Sequence, residues 1–399
     1  MRCTFIQKMP TEGVSGMRIV HCADSHLGLS AFHRLDPETG MNLREKQIYR
    51  HFLEGIDRII AIRPDAVVHA GDIFHSVKPK TMAYTTALEA LSRLGNAGIP
   101  LVVIAGNHDM AKSRYTTSPF EVLNYHAAPL HAAYRYRYEP VDLGDTRFHL
   151  IPNLLQADQY REEFDRIESL RNGRNVLVTH GLATTLRDYR LNTVMEHEID
   201  STMLSPDFDY IALGHFHGRR QVAERAWYCG SQEYCSYGEI HDGKGALVTD
   251  LARGTVEPLE LPRTPMVDLG EVKCGDLSPR QVGEAIAAHV EGIRFGEEPP
   301  MAMVTLTGAD RKTLQAMDQG ILREARERLL DLRIQVKAAG DGTPLTERHD
   351  LRGVNYVDLF GEYLQAQQLS ERQHRYVLER GSAVIRQVMA GEGEEDASR

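Results

Sequence analysis

Five short apolar runs, each ending in polar residues, are the feature that most restricts how this 399-residue chain can fold. The runs are rich in β-branched residues, which is typical of buried strands. Helical periodicity occupies the gaps after the first two, at Leu43–Ile62 and Thr81–Ala97. In chain order the runs are MRIVHCAD, DAVVHAGD, IPLVVIAGNHD, NVLVTHG and YIALGHFH. Strands that alternate with helices predict an α/β layered domain.

The polar residues at the ends of the first two runs are suited to binding a metal ion. In open α/β sheets, ligands bind at the carboxyl ends of the strands. Asp24 and His26 are alternate residues of an extended segment, so their side chains point the same way and can bind one ion together. Asp72 follows Gly71, which permits a tight turn, and its two carboxylate oxygens can bridge two ions.

The last three runs end in further ligand types. Asn107, His108 and Asp109 offer an amide oxygen, an imidazole and a carboxylate, and Asp109 could hold His108 in one tautomer. His180 follows the fourth run, and His215 and His217 follow the fifth. Taken singly, such residues are more often turn formers, helix caps or satisfied polar groups. Five ligand-bearing strand ends in one domain instead favour a shared metal site.

The order of these motifs resembles that of the calcineurin-like metallophosphoesterase superfamily, and the match runs from Asp24 to His217. The first motif MRIVHCADSHLG, the second motif GDIFH and the region that follows are similar to the SbcD family of DNA repair exonucleases. That family is the bacterial and archaeal counterpart of the eukaryotic meiotic recombination nuclease. The resemblance implies an α/β fold with a layered β-sandwich core flanked by helices.

The resemblance also implies a ligand set and two catalytic roles. Asp72 would bridge two metals, and His75 would have a role in the active site. His108 would stabilise or protonate the leaving oxygen, with Asp109 as its orienting partner. The implied ligands of one metal are Asp24, His26, Asp72 and His217, and those of the other are Asp72, Asn107, His180 and His215.

The implied cofactor is a pair of Mn²⁺ ions. A shell of oxygen and nitrogen donors without thiolate favours Mn²⁺ and is compatible with iron or zinc. The five cysteines are scattered and form no CxxC pair, so we expect neither a disulfide framework nor a thiolate zinc site. This cysteine usage favours a reducing cytoplasm.

The net charge of −10 excludes a chain that is basic throughout, so DNA contacts must come from local patches and bound cations. Candidate phosphate contacts follow the fourth and fifth motifs, at Arg187, Arg190, Arg219 and Arg220. The alternating segment Tyr134–Tyr138 predicts either a stacking and phosphate-binding surface or an ordinary edge strand protected by arginine.

Composition changes along the chain suggest four regions. Residues 1–16 lack periodicity and are expected to be a disordered leader, and residues 17–262 form the nuclease domain. Residues 263–340 have a βαβαβ-like pattern, with helices at Pro279–Glu291 and Arg311–Leu330, and are interpreted as a small α+β domain that caps the site and binds DNA. Residues 341–399 contain two helical patterns and an acidic tail.

The resemblance implies a Mn-dependent 3'–5' exonuclease and single-strand endonuclease that processes DNA ends in double-strand break repair. It implies a homodimer, with Thr81–Ala97 and Pro119–His126 at its interface, and docking of an SMC-like coiled-coil ATPase of the SbcC type on the C-terminal helices. Two alternatives are a metallophosphoesterase for another substrate and a non-catalytic DNA-tethering subunit. No apolar run of roughly 18 residues predicts a membrane span.

Overall fold

The computed structural model groups the chain into two compact units, Met1–Ala339 and Gly340–Arg399. It describes residues 16–111, 117–189, 198–205, 207–309, 311–337, 375–378 and 380–382. The expected leader, residues 1–16, lies outside the described residues except for Gly16. The expected C-terminal helices also lie outside them, apart from the helical stretches 375–378 and 380–382. The four-region division therefore stays a prediction.

Among its described residues, the first unit begins with fourteen strands that form two six-stranded sheets and one two-stranded sheet. The strands of the six-stranded sheets, in chain order, are β1 (Arg18–Cys22), β2 (Ala66–His69), β3 (Leu101–Ile104), β4 (Leu130–Ala133), β5 (Glu139–Leu143), β6 (Thr146–Ile151), β7 (Arg174–His180), β10 (Tyr210–Gly214), β11 (Arg220–Ala223), β12 (Ala226–Tyr228), β13 (Ala246–Asp250) and β14 (Thr255–Leu259). The two-stranded sheet pairs β8 (Leu182–Ala183) with β9 (Glu198–Ile199).

The two large sheets stack on each other as a sandwich. The first has the order β14-β13-β1-β2-β3-β4, and the second has the order β11-β12-β10-β7-β6-β5. Strands β1 to β4 are parallel, and so are β6, β7, β10 and β12. Apolar side chains such as Val68 and Val102 of the first sheet and Val178 and Ala212 of the second form one buried cluster between them.

Helices cover both outer faces of the sandwich. On the first sheet lie α1 (Leu43–Ile62) and α2 (Thr81–Asn96), which share a buried cluster with the strands, and α3 (Phe120–Leu123) packs into the same cluster. On the second sheet lies α4 (Ala157–Phe164). The sequence predicted α1 with the same bounds, and α2 ends one residue earlier than predicted. The expected fold class, a layered β-sandwich flanked by helices, is confirmed.

A smaller module follows the sandwich. Its elements are β15 (Met266–Lys273), α5 (Pro279–Glu291), β16 (Met301–Thr307), α6 (Arg311–Ala316), α7 (Gln319–Glu327) and β17 (Asp331–Lys337). The three strands are parallel in the order β15-β16-β17, and the helices pack on them around their own apolar cluster. The single helix predicted from Arg311 to Leu330 is two helices, because the Asp318 side chain accepts hydrogen bonds from the amides of Gly320 and Ile321 and starts α7 afresh.

A buried ionic cluster connects α1 with the module and with the chain segment that leads into it. Arg44 Nη1 lies 2.9 Å from Glu233 Oε2, and His51 Nδ1 lies 2.5 Å from Glu233 Oε1. On its other side, the His51 ring lies 3.2 Å from the carboxylate of Glu298, in the loop before β16. The Thr264 amide and hydroxyl bond to Glu233 and Arg44, so charged groups hold the start of the module against the sandwich.

Candidate metal centre

The five sequence motifs meet at one edge of the sandwich, where parallel strands of both sheets end. Strands β1, β2 and β3 of the first sheet lead into the first three motifs, and β7 and β10 of the second sheet lead into the other two. The loops after β1 and β2 run together, because the Asp24 amide donates to the Gly71 carbonyl and the His26 amide to the Asp72 carbonyl, both at 3.0 Å. Both sheets therefore supply side chains to one site.

Four of the predicted ligands have a strained backbone. Asp24, His26, Asp72 and His215 have φ angles of 54°, 46°, 56° and 95°, in the left-handed region that L side chains seldom adopt. Each such residue costs on the order of 1–3 kcal/mol and persists only where its surroundings hold it in place. The strain directs these side chains to one point, as is common at functional sites.

Two glycines let the loops approach each other closely enough to form the site. A Cβ on Gly106 would overlap Asp72, and a Cβ on Gly214 would overlap the carbonyl of Ala70. The Ala70 carbonyl also accepts the hydrogen bond that orients His180. Any larger residue at either position would push apart strand ends that carry candidate ligands.

One half of the site lies around Asn107. His180 Nδ1 is 2.8 Å from the Ala70 carbonyl oxygen, which can only accept, so Nδ1 carries the donated proton. The other ring nitrogen, Nε2, is 3.0 Å from Asn107 Oδ1 and 3.4 Å from Asp72 Oδ2. His215 Nδ1 is 3.1 Å from the same amide oxygen. In neutral His180, the Nε2 lone pair faces two acceptors, an arrangement that a cation between them stabilises.

The other half lies around His26 and His217. His217 Nδ1 is 3.0 Å from Glu239 Oε1, and its Nε2 is 3.1 Å from His26 Nε2. His26 Nε2 is also 3.9 Å from Asp72 Oδ2. The Asp72 carboxylate thus lies beside ligands of both halves. This is the position that the sequence predicted for a bridging carboxylate.

The spacing of these donors fits metal coordination. Two nitrogen or oxygen ligands about 2.1 Å from one cation lie roughly 3.0–3.4 Å apart at octahedral or tetrahedral angles. The pairs His26 with His217, and Asn107 with His180 and with His215, fall at 3.0–3.1 Å. Asp24, Asp72 and His180 form a further group whose ligand atoms all lie within 4.8 Å of one another. The residues present therefore fit divalent metal ions.

The electrostatics of the site attract positive charge. Burial by itself lowers the pKa of His180, but the carboxylates of Asp72 and Asp24 outweigh it and raise that pKa to about 9. For Asp72, burial by itself raises the pKa, but the imidazoles around the carboxylate, His180 first, hold that pKa far below its usual range. Asp72 is thus an anion at any physiological pH, and the proton that His180 holds on Nε2 near neutral pH is the positive charge that a divalent ion would replace.

His108 and His75 lie beside the candidate ligands and form a stacked pair. Their ring centroids are 5.2 Å apart with an interplanar angle of 22°, and the His108 ring centroid is 4.8 Å from that of His26. His108 Nδ1 donates to the His75 carbonyl at 2.9 Å, and the His108 amide donates to Asp72 Oδ1 at 2.8 Å. His108 is therefore fixed in one tautomer next to the group that the sequence predicted as the bridge.

Asp109 differs from the expectation that it orients His108. Its fully buried carboxylate accepts hydrogen bonds from the amides of Ile73 at 3.0 Å, Phe74 at 2.9 Å and Gly106 at 3.3 Å. The carbonyl of His75 takes the orienting role instead. Asp109 acts on the site indirectly, because it joins the loop that carries Asp72 to the loop that carries Asn107.

Three residues of the site were not predicted from the sequence: Cys235, Glu239 and Lys244. Glu239 accepts from His217 and lies 2.6 Å from the fully buried Lys244 Nζ, which also donates to the His217 carbonyl at 2.9 Å. Cys235 Sγ lies within 4.8 Å of ring nitrogens of His26 and His217. Their place in the chain, after β12, is what could have indicated these three residues. Strand β12 is parallel to its neighbour β10, so the segment that follows β12 reaches the same edge of the sheet.

The arginines that the sequence predicted as DNA contacts lie in different environments. Arg219 is only 15% exposed and bonds to the Lys244 carbonyl and Glu260, so it serves the structure rather than a phosphate. Arg220 begins β11 and is partly exposed. Arg187 lies in the 3₁₀ turn Thr184–Tyr189, and Arg190 lies outside the described residues. In the part of the chain that the structure covers, no helix has the length and hydrophobicity needed to cross a membrane.

The alternating Tyr134–Tyr138 segment lies between β4 and β5 and is not a strand. Arg135 and Arg137 are exposed, whereas Tyr134 is buried against Phe120. The arginines and the tyrosines of this segment point to opposite sides, as expected. The tyrosines face the core, however, so they offer no surface on which bases could stack.

Comparisons with known proteins identify relatives of this chain. The sequence profile of the calcineurin-like phosphoesterases matches residues 17–219, about half of the chain. Three similar proteins are named DNA double-strand break repair protein Mre11. The one from Methanococcus maripaludis is 29% identical over 258 residues, which cover 59% of this chain and 63% of that protein.

The relative from Methanocaldococcus jannaschii is 28% identical, covering 59% of this chain and 63% of that protein. The relative from Haloferax volcanii is 30% identical, covering 60% of this chain and 51% of that protein. The matched region thus spans about half to two thirds of the length of these relatives.

Proposed function

The chain belongs to the calcineurin-like phosphoesterase family, and from that premise we propose that it is a metal-dependent nuclease that hydrolyses phosphodiester bonds of DNA at double-strand breaks. The observation that carries the proposal is the arrangement around Asp72, where imidazole nitrogens and amide and carboxylate oxygens face one another at metal-ligand spacing. The names of the relatives support DNA as the substrate.

The proposed cofactor is two Mn²⁺ ions, one in each half of the site, with Asp72 between them. A donor set dominated by carboxylate, amide and imidazole suits Mn²⁺ and is compatible with iron or zinc. When bound, such a pair would supply an activated water and positive charge beside the phosphate. The carboxylate of Asp72 and the amide of Asn107 would hold the ions.

The protein's own contribution to the reaction centres on His108. With its Nδ1 proton donated to the His75 carbonyl, the ring keeps Nε2 for an exchangeable proton. We propose that His108 Nε2 stabilises or protonates the leaving oxygen, and that the stacked His75 ring limits the movement of His108. General acid catalysis of this kind contributes about 10²–10⁴-fold in rate.

The finer activities are also proposals. We infer 3'–5' exonuclease and single-strand endonuclease activity on DNA ends, and action with an SMC-like ATPase of the SbcC type in the cytoplasm. Support comes from the likeness to repair proteins and from the complete candidate ligand set. The complete set speaks against a non-catalytic tethering role, because a scaffold has no chemical need for every ligand.

A homodimer is supported by apolar side chains that the described structure leaves exposed. Tyr125 is 92% exposed, and Met82 of α2 and Val122 of α3 are also exposed. Helices α2 and α3 pack on the same side of the first sheet. Exposed apolar side chains on helices that pack on one side of a sheet are the kind of surface that a second copy covers.

The deciding experiment offers the purified chain and Mn²⁺ single-stranded DNA, double-stranded DNA and a small phosphodiester. We expect hydrolysis of both DNAs and its loss in Asp72→Ala, together with loss of bound metal. Hydrolysis of the small phosphodiester alone would indicate a phosphoesterase for another substrate. DNA binding without any hydrolysis, in protein that holds its metal, would indicate a tethering subunit.

A further inference from the structure

Cys235 is a thiol at the edge of the metal centre that the oxygen and nitrogen ligand set does not include. It follows β12, the strand next to β10, and so reaches the strand-end edge that carries His215 and His217. Its Sγ and ring nitrogens of His26 and His217 all lie within 4.8 Å of one another. These two imidazoles belong to a single half of the site, whose nitrogens are 3.1 Å apart.

The position of Cys235 is built into the site through Glu239. The Cys235 amide donates to Glu239 Oε2 at 3.0 Å, while Oε1 of the same carboxylate accepts from His217 Nδ1 at 3.0 Å. Lys244 Nζ, fully buried, holds Oε2 at 2.6 Å and also donates to Ser231 Oγ. One carboxylate therefore positions both the imidazole and the chain segment that carries the thiol.

We propose that Cys235 is an additional, thiolate ligand in the half of the site formed by His26 and His217, and that it biases this position toward zinc or iron over manganese. The proposal deepens the proposed function, since it rests on the site binding divalent ions. The Cys235 thiolate would be a fifth donor in this half, beside the predicted ligands Asp24, His26, Asp72 and His217.

The physical basis is ligand softness. Thiolate favours Zn²⁺ and iron strongly, whereas Mn²⁺ prefers carboxylate and carbonyl oxygen. On binding, the thiol loses its proton to solvent and the sulfur lone pair forms the new bond, so no oxidant or reductant is needed. Sulfur and nitrogen ligands of one zinc ion lie roughly 3.6 Å apart. A side-chain movement of about an ångström closes the remaining distance.

This inference changes the expected metal content of the site. The half around Asn107, with amide and imidazole donors, keeps its proposed preference for Mn²⁺. The half that contains Cys235 prefers zinc or iron. A mixed-metal centre follows, with zinc or iron on the thiol side. The two halves should then fill in sequence when zinc is titrated into metal-free protein.

The test compares wild type with Cys235→Ser, using Co²⁺ as a spectroscopic probe and Zn²⁺ and Mn²⁺ in chelator competition. Wild type should show a thiolate-to-cobalt charge-transfer band that Cys235→Ser lacks. The variant should also lose about tenfold or more in Zn²⁺ affinity with a much smaller change for Mn²⁺. Cys274→Ala is the matched control, because Cys274 is buried in the apolar cluster of the small module. It should behave as wild type.

Equal spectra and an unchanged ratio of Zn²⁺ to Mn²⁺ affinity in Cys235→Ser would overturn the inference and leave the proposed nuclease intact. Failure of wild type to bind any divalent ion would instead overturn the proposed function itself. A second measurement avoids dependence on the variant's folding. In wild type, Zn²⁺ should protect one thiol from alkylation, identified as Cys235 by peptide mapping, and Mg²⁺ should not. Equal labelling with both ions would contradict the proposal.

Discussion

At the scale of single residues, the site depends on which nitrogen of each imidazole carries the proton. His180, His108 and His217 each direct Nδ1 to an oxygen acceptor: the Ala70 carbonyl, the His75 carbonyl and the Glu239 carboxylate. Nε2 of each ring is therefore the nitrogen that remains to act in the metal centre. Such outer partners fix the tautomer and the orientation of metal-binding histidines.

The first prediction concerns His108. Replacing His108 by Ser removes the proposed proton donor but none of the candidate ligands. We expect His108→Ser to retain its metal, measured by elemental analysis, and to lose about 10²–10⁴-fold in DNA hydrolysis rate. A variant with full activity would show that His108 does not take part in proton transfer, and one without metal would show that it is a ligand.

The second prediction concerns Glu239. Glu239→Gln keeps the shape of the side chain but weakens its bonds to His217 and Lys244, so the His217 ring loses its fixed orientation. We expect a loss of about 10–100-fold in metal affinity by calorimetric titration. Glu224→Gln, at an exposed position in the turn between β11 and β12, is the control and should bind metal normally.

The residues of the site differ in how far sequence could predict them. The seven side chains predicted as ligands from strand ends all lie at one edge of the sandwich, because parallel strands bring their carboxyl ends together. Glu239 and Lys244 escaped prediction because they act through His217 and follow a short strand with no motif. The role of Asp109 was misjudged because the acceptor that orients His108 is a backbone carbonyl, which no side-chain pattern reveals.

At the scale of elements, the site depends on how closely the strand ends and the loops that follow them approach one another. The helices α1 and α5 were predicted with the observed bounds, since caps and apolar periodicity agree at both. The break between α6 and α7 was missed, because the apolar periodicity continues across Asp318. Strand pairing within each sheet brings together segments distant in sequence, such as β1 and β13, which local patterns do not encode.

The third prediction concerns Gly214, the last residue of β10. In Gly214→Ala the new methyl group would overlap the Ala70 carbonyl and the adjacent His180 ring. We expect a loss of about 2 kcal/mol or more in the free energy of unfolding, measured with urea, and a loss of metal. Gly275→Ala is the matched control, because a Cβ added at Gly275 would have nothing within 4 Å. Equal stability of both variants would show that the strand ends can separate at no cost.

At the scale of the whole first unit, the sandwich and the small module are joined by charge. Glu233 lies fully buried between Arg44 and His51, and Glu298 of the module contacts His51 on its other side. Burial by itself raises the pKa of Glu233, but Arg44 and His51 outweigh it and lower that pKa below its usual value.

The fourth prediction follows from that lowered pKa. A carboxyl group whose pKa is lower in the folded state stabilises the fold above its ordinary pKa, and the effect is lost as pH falls through the lowered value. Glu233→Gln should therefore lose roughly 3 kcal/mol of stability near neutral pH. The difference from wild type should shrink below about pH 4. Thermal unfolding across pH 3–8 measures this, and a pH-independent difference would refute the ionic explanation.

The fifth prediction concerns assembly. Tyr125→Glu places a charge in the proposed apolar interface, so a dimeric wild type should become monomeric by light scattering at micromolar concentration. Leu155→Glu, at a leucine that is 49% exposed before α4, is the control and should leave the mass unchanged. A monomeric wild type would contradict the proposed dimer, and a Tyr125→Glu variant that stays dimeric would show that the interface lies elsewhere.

Because the candidate ligands come from both sheets, a bound ion would cross-link two layers that otherwise adhere through apolar contacts and hydrogen bonds such as the one from His180 to the Ala70 carbonyl. His26, Asp72 and Asn107 belong to one layer, and His180, His215 and His217 to the other. Ions that bind only the folded arrangement add their binding free energy to its stability, about 2.7 kcal/mol at a hundredfold excess over Kd. Metal starvation would therefore weaken the architecture itself, and the cell's supply of divalent ions would govern how long this protein survives as well as how fast it works.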